Sequence, residues 1–260
     1  MPAVEGLLLD IDGVLVTSWN AIPGAIDAMA SFRAARLPVC MITNTTTHPR
    51  TDLAETLVAA GFEVEPDTIV TAVTATAAYL RRTHPSATVF VLSDGDAHAD
   101  LEGITLVNDP AAADVIVLGG ASNDFTYATI NRVFGRLMDG DASLVAMHRN
   151  MFWRASDRFQ LDVGAYVTGL EAATGAEAVV CGKPARAYFE AALSVLGIAA
   201  EHAAMVGDDV VNDVDGARAS GLMGILVRTG KFRPDDLARG SPDHVVDSLA
   251  DVPALLGFAG

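Results

Sequence analysis

Two aspartates one residue apart, Asp10 and Asp12, close the apolar run LLLDIDGVLV, and Gly13 follows at once. In an extended strand, residues two apart face the same side, so a strand over 6–12 would bring both carboxylates together. Like charges that close repel, and the pair requires a cation between them or water around them. Three other polar stretches stand out: ITNTTT at 42–47, CGKP at 181–184 and VGDDVVND at 206–213. From these residues Asp10 could attack an electrophile, Asp12 could move protons, Thr43 and nearby backbone N–H groups could hold anionic oxygens, and Lys183 could balance charge. Asp208 and Asp213, with Asp10, supply hard oxygen ligands suited to Mg²⁺. An electrophile that needs both a divalent cation and a lysine before a carboxylate can approach it is a phosphoryl group.

Each stretch alone has an ordinary explanation. Asp12-Gly13 is a common turn, Thr43 could end a strand with Asn44 opening a helix entry, and Gly182-Lys183-Pro184 could be a helix start. What argues for one site is their placement, because all four fall at the end of an expected strand, where open parallel sheets bind ligands.

The elements that must position them follow from hydrophobic patterning. Strands are expected at 6–12, 38–43, 87–92, 114–118, 144–148, 178–181, 203–206, 223–227 and 244–246. Helices are expected at 23–35, 50–60, 72–83, 125–138, 164–174, 184–196, 213–219 and 249–255. The alternation is that of a parallel sheet covered by helices. Pro23 and Pro184 suit first helical turns, and Gly61, Gly175, Gly197 and Gly221 suit the left-handed residue after a helix. The run 89–96 faintly echoes the first motif but has Leu92 where Asp10 stands, so it reads as an acidic turn; residues 94–100 lack the glycine and final glutamate of a calcium loop.

Composition narrows the function. A chain of 260 residues is long enough for a large core with an inserted domain, and its net charge of −16 argues against nucleic acid or an anionic membrane as partner. No apolar run reaches membrane-spanning length and the first residues lack a signal-peptide pattern, which makes a cytoplasmic protein the expectation. Cys40 and Cys181 read as small core residues. Of 17 basic residues only Lys183 and Lys231 are lysine. A lysine kept where arginine is the rule suggests a tight site for a compact charge. Lys231 nevertheless reads as structural.

At these residues the chain resembles the haloacid dehalogenase (HAD) superfamily of phosphohydrolases: DxD at Asp10-Ile11-Asp12, a hydrophobic residue and threonine at Ile42-Thr43, a lysine at Lys183, and an acidic pair at Asp208 and Asp213. About 140 residues separate the second and third signatures, as in the NagD-like branch that carries a large inserted α/β cap. The resemblance implies an α/β fold with a Rossmann-like core at 1–71 and 180–260 and a cap at 72–179. It implies that Asp10 is a nucleophile forming an aspartyl-phosphate, and that Asp12 protonates the leaving group and then activates water. Thr43, Asn44 and Lys183 would hold phosphoryl oxygens. Mg²⁺ would sit on Asp10, Asp208 and the Asp12 carbonyl, with Asp213 supporting the metal or Lys183.

This chain has Asn44-Thr45 where many relatives have Asn-Asn, and His148-Arg149-Asn150 where many caps carry Asn-Pro-Asp. His148 and Arg149 are therefore candidate substrate contacts, Arg149 for a second anionic group and Trp153 for an apolar portion; alternatively this loop packs within the cap or at a cap-to-cap homodimer interface. A cap of this size would exclude water and restrict access to a small phosphate ester, phosphoramidate or pyrophosphate. Two other readings compete: a phosphotransferase using the same intermediate, and a phosphate-ligand-binding protein without turnover.

Overall fold

Leu7, Leu8 and Leu9 are completely buried, so β1 (Gly6–Asp10) is covered on both faces, as a central parallel strand must be. The computed structural model describes residues 4–154 and 158–258, and the chain forms two compact units. The first comprises residues 1–43, 50–70 and 183–260; the second comprises 44–49 and 71–182.

In the first unit, chain order along the sheet reverses at β1. A short hairpin, β2 (Val16–Thr17) with β3 (Asn20–Ala21), precedes β4 (Val39–Thr43) and β5 (Ile69–Thr71). The second unit contributes β6 to β12, given below, and the first resumes with β13 (Ala203–Gly207), β14 (Met223–Val227) and β15 (His244–Val246). The six-stranded sheet runs β15-β14-β13-β1-β4-β5, and β1 pairs parallel with both β13 and β4. A ligand-binding crevice belongs outside the carboxyl ends of strands at such a reversal. Helices α1 (Ala25–Ala34) and α2 (Arg50–Ala59) cover this sheet from the earlier part of the chain.

The second unit holds a five-stranded sheet, β12-β9-β8-β6-β7, made of β6 (Thr88–Leu92), β7 (Thr105–Leu106), β8 (Val115–Leu118), β9 (Ser143–Ala146) and β12 (Val179–Val180). Every pairing in it is parallel. A separate antiparallel hairpin joins β10 (Phe152–Arg154) to β11 (Phe159–Leu161). Helices α3 (Ala72–Thr83), α4 (Tyr127–Met138) and α5 (Val163–Thr174) start on Thr71, Thr126 and Asp162, whose side chains accept backbone N–H groups of the first turn. The first unit closes with α6 (Arg186–Leu196), α7 (Gly216–Ala219) and α8 (Val252–Leu255).

The α/β class and the parallel sheets agree with the patterning, and Gly61, Gly175, Gly197 and Gly221 all take positive φ. Several boundaries differ. The first strand ends at Asp10, because Gly13, at φ +84°, turns the chain and the N–H groups of Leu15 and Val16 bond back to the carbonyl of Ile11. Asp10 and Asp12 therefore do not share a strand face. Asp10 is buried, whereas Asp12 lies in the turn and is exposed. Pro23 and Pro184 lie before their helices, which begin at Ala25 and Arg186. The helix expected at 213–219 is a π-helical turn, Val210–Asp215, running into α7. The strands not foreseen, β2, β3, β5, β7, β10 and β11, have two or three residues each, too few to establish a period. Cys40 and Cys181 are buried core residues, and burial pushes each thiol up to about 12. Among the described residues no helix is long and apolar enough to cross a membrane.

Candidate active site

The carboxyl ends of β13, β1 and β4 stand side by side, and each carries one polar residue of the motifs. Asp208 follows β13, Asp10 ends β1 and Thr43 ends β4. The register aligns Asp10 with Ile42, directly before Thr43. Asp213 comes from the π-helical turn after β13. Asp209 accepts the N–H groups of Val211 and Asn212 there, and its own N–H donates to Asp213 Oδ2 at 3.1 Å. A π turn inserts an extra residue per turn, which re-aims a side chain that an α-helix would carry past the site.

Four charged side chains meet here with almost no water. Asp10, Lys183, Asp208 and Asp213 are all 5% exposed or less. Lys183 Nζ lies 2.8 Å from Asp10 Oδ1 and 2.7 Å from Asp213 Oδ1. Oxygens of Asp10, Asp208 and Asp213 lie within 4.8 Å of one another. One buried ammonium thus faces three buried carboxylates. The imbalance appears in their acidities. Burial pushes Asp208 up to about 6 although Lys231 opposes it, and burial with Asp10 nearby pushes Asp213 up to about 6 although Lys183 opposes it. Burial also raises Asp10, against the pull of Lys183. Burial would lower Lys183, but Asp10 and Asp213 override it and hold the ammonium well above its ordinary value.

The cluster fits a divalent cation. Its donors are hard oxygens, and Asp208 Oδ1 is buried without a hydrogen-bond partner, although a buried carboxylate oxygen normally has one. The other oxygen, Asp208 Oδ2, accepts the N–H of Lys231 at 2.7 Å. Gly13 and Gly230 close around it: a Cβ on either would come within 2.1 Å of Asp208 Oδ2. The clustered carboxylates do not include that of Asp12.

Thr43 is held by a residue that the motifs do not include. The fully buried Tyr188 hydroxyl accepts the N–H of Thr43 at 2.8 Å and lies 2.8 Å from the carbonyls of Thr43 and Val70, which share its single proton. One phenol therefore ties the end of β4 to β5. Nothing local in the sequence marks it, since an aromatic five residues after Lys183 on an amphipathic helix reads as core.

Asn44, His148 and Arg149 belong to the second unit. Asn44 lies close against Gly182, where a Cβ would stand 2.8 Å from Asn44 Oδ1. His148 is buried two residues past β9, with Nδ1 accepting the N–H of Asn150 at 3.3 Å; burial lowers its pKa and Asp162 opposes this. Arg149, expected to await an anion, is paired with Glu171, whose other oxygen accepts the N–H of Ala178 at 2.9 Å.

Residues 7–106 match the family model described as haloacid dehalogenase-like hydrolase, and residues 180–252 match a second described as HAD-hydrolase-like. Human haloacid dehalogenase-like hydrolase domain-containing protein 2 is 38% identical over 92% of this chain and 90% of its own. The chain belongs to the haloacid dehalogenase-like hydrolase family. Human phospholysine phosphohistidine inorganic pyrophosphate phosphatase is 34% identical, covering 98% of this chain and 95% of its own. Among solved structures, a p-nitrophenyl phosphatase from Archaeoglobus fulgidus superposes with a TM-score of 0.90 at 28% identity, over 98% of this chain and 100% of its own. NagD from E. coli superposes at 0.86 and 25% identity, over 96% and 98%. The protein is a HAD-type phosphohydrolase with the NagD-like architecture of a core and a large α/β cap.

Proposed function

We propose that this protein is a Mg²⁺-dependent phosphatase that hydrolyses a small phosphorylated metabolite, phosphoramidate or pyrophosphate through an aspartyl-phosphate on Asp10. The observation that carries the reading is the buried excess of carboxylate: three clustered acids, one lysine and an Asp208 oxygen without a partner. Asp10, Asp208 and the carbonyl of Asp12 would hold Mg²⁺, with Asp213 behind them; bound there, the ion supplies the positive charge that lets a phosphoryl group approach a carboxylate.

The remaining steps belong to the chain. Asp10 attacks phosphorus while Lys183 and the end of β4, Thr43 with Asn44, hold the phosphoryl oxygens. The bond from phosphorus to the leaving group breaks, its electron pair stays on the leaving atom, and Asp12 donates a proton there. Its exposed position, outside the buried cluster, suits a group that meets the far side of the substrate. Asp12 then takes a proton from water, the resulting hydroxide attacks phosphorus, and the bond to Asp10 breaks to release inorganic phosphate. His148 and Arg149 remain the proposed cap contacts, with one condition: an anion at Arg149 would have to compete with Glu171 for the guanidinium or share it.

The test is phosphate release from a panel of phosphate esters, phosphoramidates and pyrophosphate, with and without Mg²⁺. Wild-type protein should turn over at least one compound only with the cation. Asp10→Asn should lower kcat by about a thousandfold or more, as loss of a covalent nucleophile does. A folded, Mg²⁺-saturated wild type that released nothing from any compound would overturn the proposal.

A further inference from the structure

The only two lysines of the chain meet at one cluster of acids, and only one of them is spoken for. Lys183 is buried between Asp10 and Asp213 at 2.8 and 2.7 Å. Lys231 is exposed, and among the described residues its ammonium makes no ion pair. Its backbone is nevertheless fixed at the cluster, because its N–H donates to Asp208 Oδ2 at 2.7 Å. The residues before it seat the same loop against the DxD turn. Thr229 Oγ1 donates to the carbonyl of Gly13, and a Cβ on Gly230 would lie 2.6 Å from Gly13 Cα. The loop that carries Lys231 therefore touches the turn that carries Asp12, the proposed donor of a proton to the leaving group.

We infer that Lys231 is a substrate-binding residue that selects phosphorylated compounds whose leaving group bears a negative charge of its own, such as diphosphates and phosphorylated carboxylic acids. Placement supports this. Lys183 is committed to the side of the nucleophile, between Asp10 and Asp213, whereas Lys231 is carried by the loop that touches the Asp12 turn, the side of the leaving group in the proposed reaction. The chemistry requires such a group. In a protein of net charge −16 a polyanionic substrate needs local positive charge beyond what the transferred phosphoryl uses. Lysine also suits the place better than the arginine used elsewhere, because a compact ammonium on a flexible stem can follow a leaving group as it departs.

The inference rests on the phosphatase reading, and the experiment separates the two. Wild type, Lys231→Met and Lys231→Arg are compared at saturating Mg²⁺ on pyrophosphate, with its charged leaving group, and on p-nitrophenyl phosphate, whose leaving group becomes a weakly basic phenolate. Lys231→Met should raise KM for pyrophosphate about tenfold or more and change KM for p-nitrophenyl phosphate by no more than about twofold. Lys231→Arg should recover part of the loss. Mg²⁺ affinity, measured by calorimetry without substrate, should be unchanged or tighter in Lys231→Met, since a like charge has been removed. Equal KM changes on both compounds, no change on either, or weaker Mg²⁺ binding that accounts for the change would overturn the inference while leaving the phosphatase reading intact. A wild type inactive on both compounds and on the wider panel would overturn the phosphatase reading, and the inference with it.

Discussion

The two units place polar residues at the same ends of parallel strands, yet they treat charge in opposite ways. At the end of β9 and the start of α5, polar groups find partners within the unit: Asp162 accepts the N–H groups of Val163 and Ala121, Arg149 pairs with Glu171, and Thr46 accepts the N–H of Gly120. At the ends of β13, β1 and β4, three buried acids share one buried lysine and an acid oxygen is left without a partner. Common architecture therefore does not fix how buried charge is balanced. The difference lies in whether the fold balances its own buried charge or leaves room for another.

Removing the lysine should show this most strongly. Lys183→Met strands Asp10 and Asp213 in a buried place, so the metal-free protein should lose about 3–5 kcal/mol in denaturant unfolding, and activity should fall with it. A loss below about 1 kcal/mol would mean that the acids are already neutral at that pH. The loss should shrink in acid, where both carboxyls take up protons.

The next effect is on pH. Asp208 and Asp213 sit at about 6, above the ordinary 3.8, so the folded protein holds their protons more tightly than the unfolded chain. The stabilisation that this linkage contributes is fully present below pH 4 and is lost as pH rises through 6. Its size is up to about 3 kcal/mol for each group. Unfolding of metal-free protein from pH 4 to 7 should carry this downward component, and saturating Mg²⁺ should remove it because cation-bound carboxylates are ionised throughout. Identical pH profiles with and without Mg²⁺ would remove the contrast drawn between the two units.

A smaller effect is expected from Tyr188→Phe. It leaves the N–H of Thr43 without its buried acceptor and the carbonyls of Thr43 and Val70 without the proton they share, at a cost of about 1–3 kcal/mol, and it loosens the end of β4. kcat should fall more than stability alone explains, with KM for p-nitrophenyl phosphate rising as Thr43 moves; a purely structural Tyr188 would change stability and leave kinetics alone. The least is expected of Glu171→Gln. Its ion pair with the half-exposed Arg149 should contribute under about 1 kcal/mol, so unfolding should barely change. Freed Arg149 should lower KM for a substrate with a second anionic group, and an unchanged KM would argue against Arg149 as a contact.

Much of this centre was legible in the sequence because its residues sit at strand ends, and long apolar strands announce themselves. The runs holding Leu7–Leu9, Met41–Ile42 and Ala204–Val206 are wholly buried, so hydrophobicity alone located the ends that carry Asp10, Thr43 and Asp208. What stayed hidden depends on turns and on distance. Asp10 and Asp12 look like one pair on paper, but Gly13 reverses the chain and sends one inward and the other to solvent. Tyr188 acts across 145 positions of sequence on Thr43, a relation that no local pattern encodes. Lys231 was visible only as a compositional oddity. Its backbone bond to Asp208 fixes the chain at that position beside the acids.

The interrupted course of the first unit also bears on how the protein is made. β1 leaves the ribosome with β4 to pair with, but its other neighbour, β13, begins at residue 203, after the whole of the second unit has been synthesised. Domains fold as units while the chain grows. During synthesis the inserted unit can thus finish folding while the triple-leucine strand at the start of the chain still lacks one side of its sheet, and a chain stopped near residue 200 should expose that strand to chaperones and to its own kind.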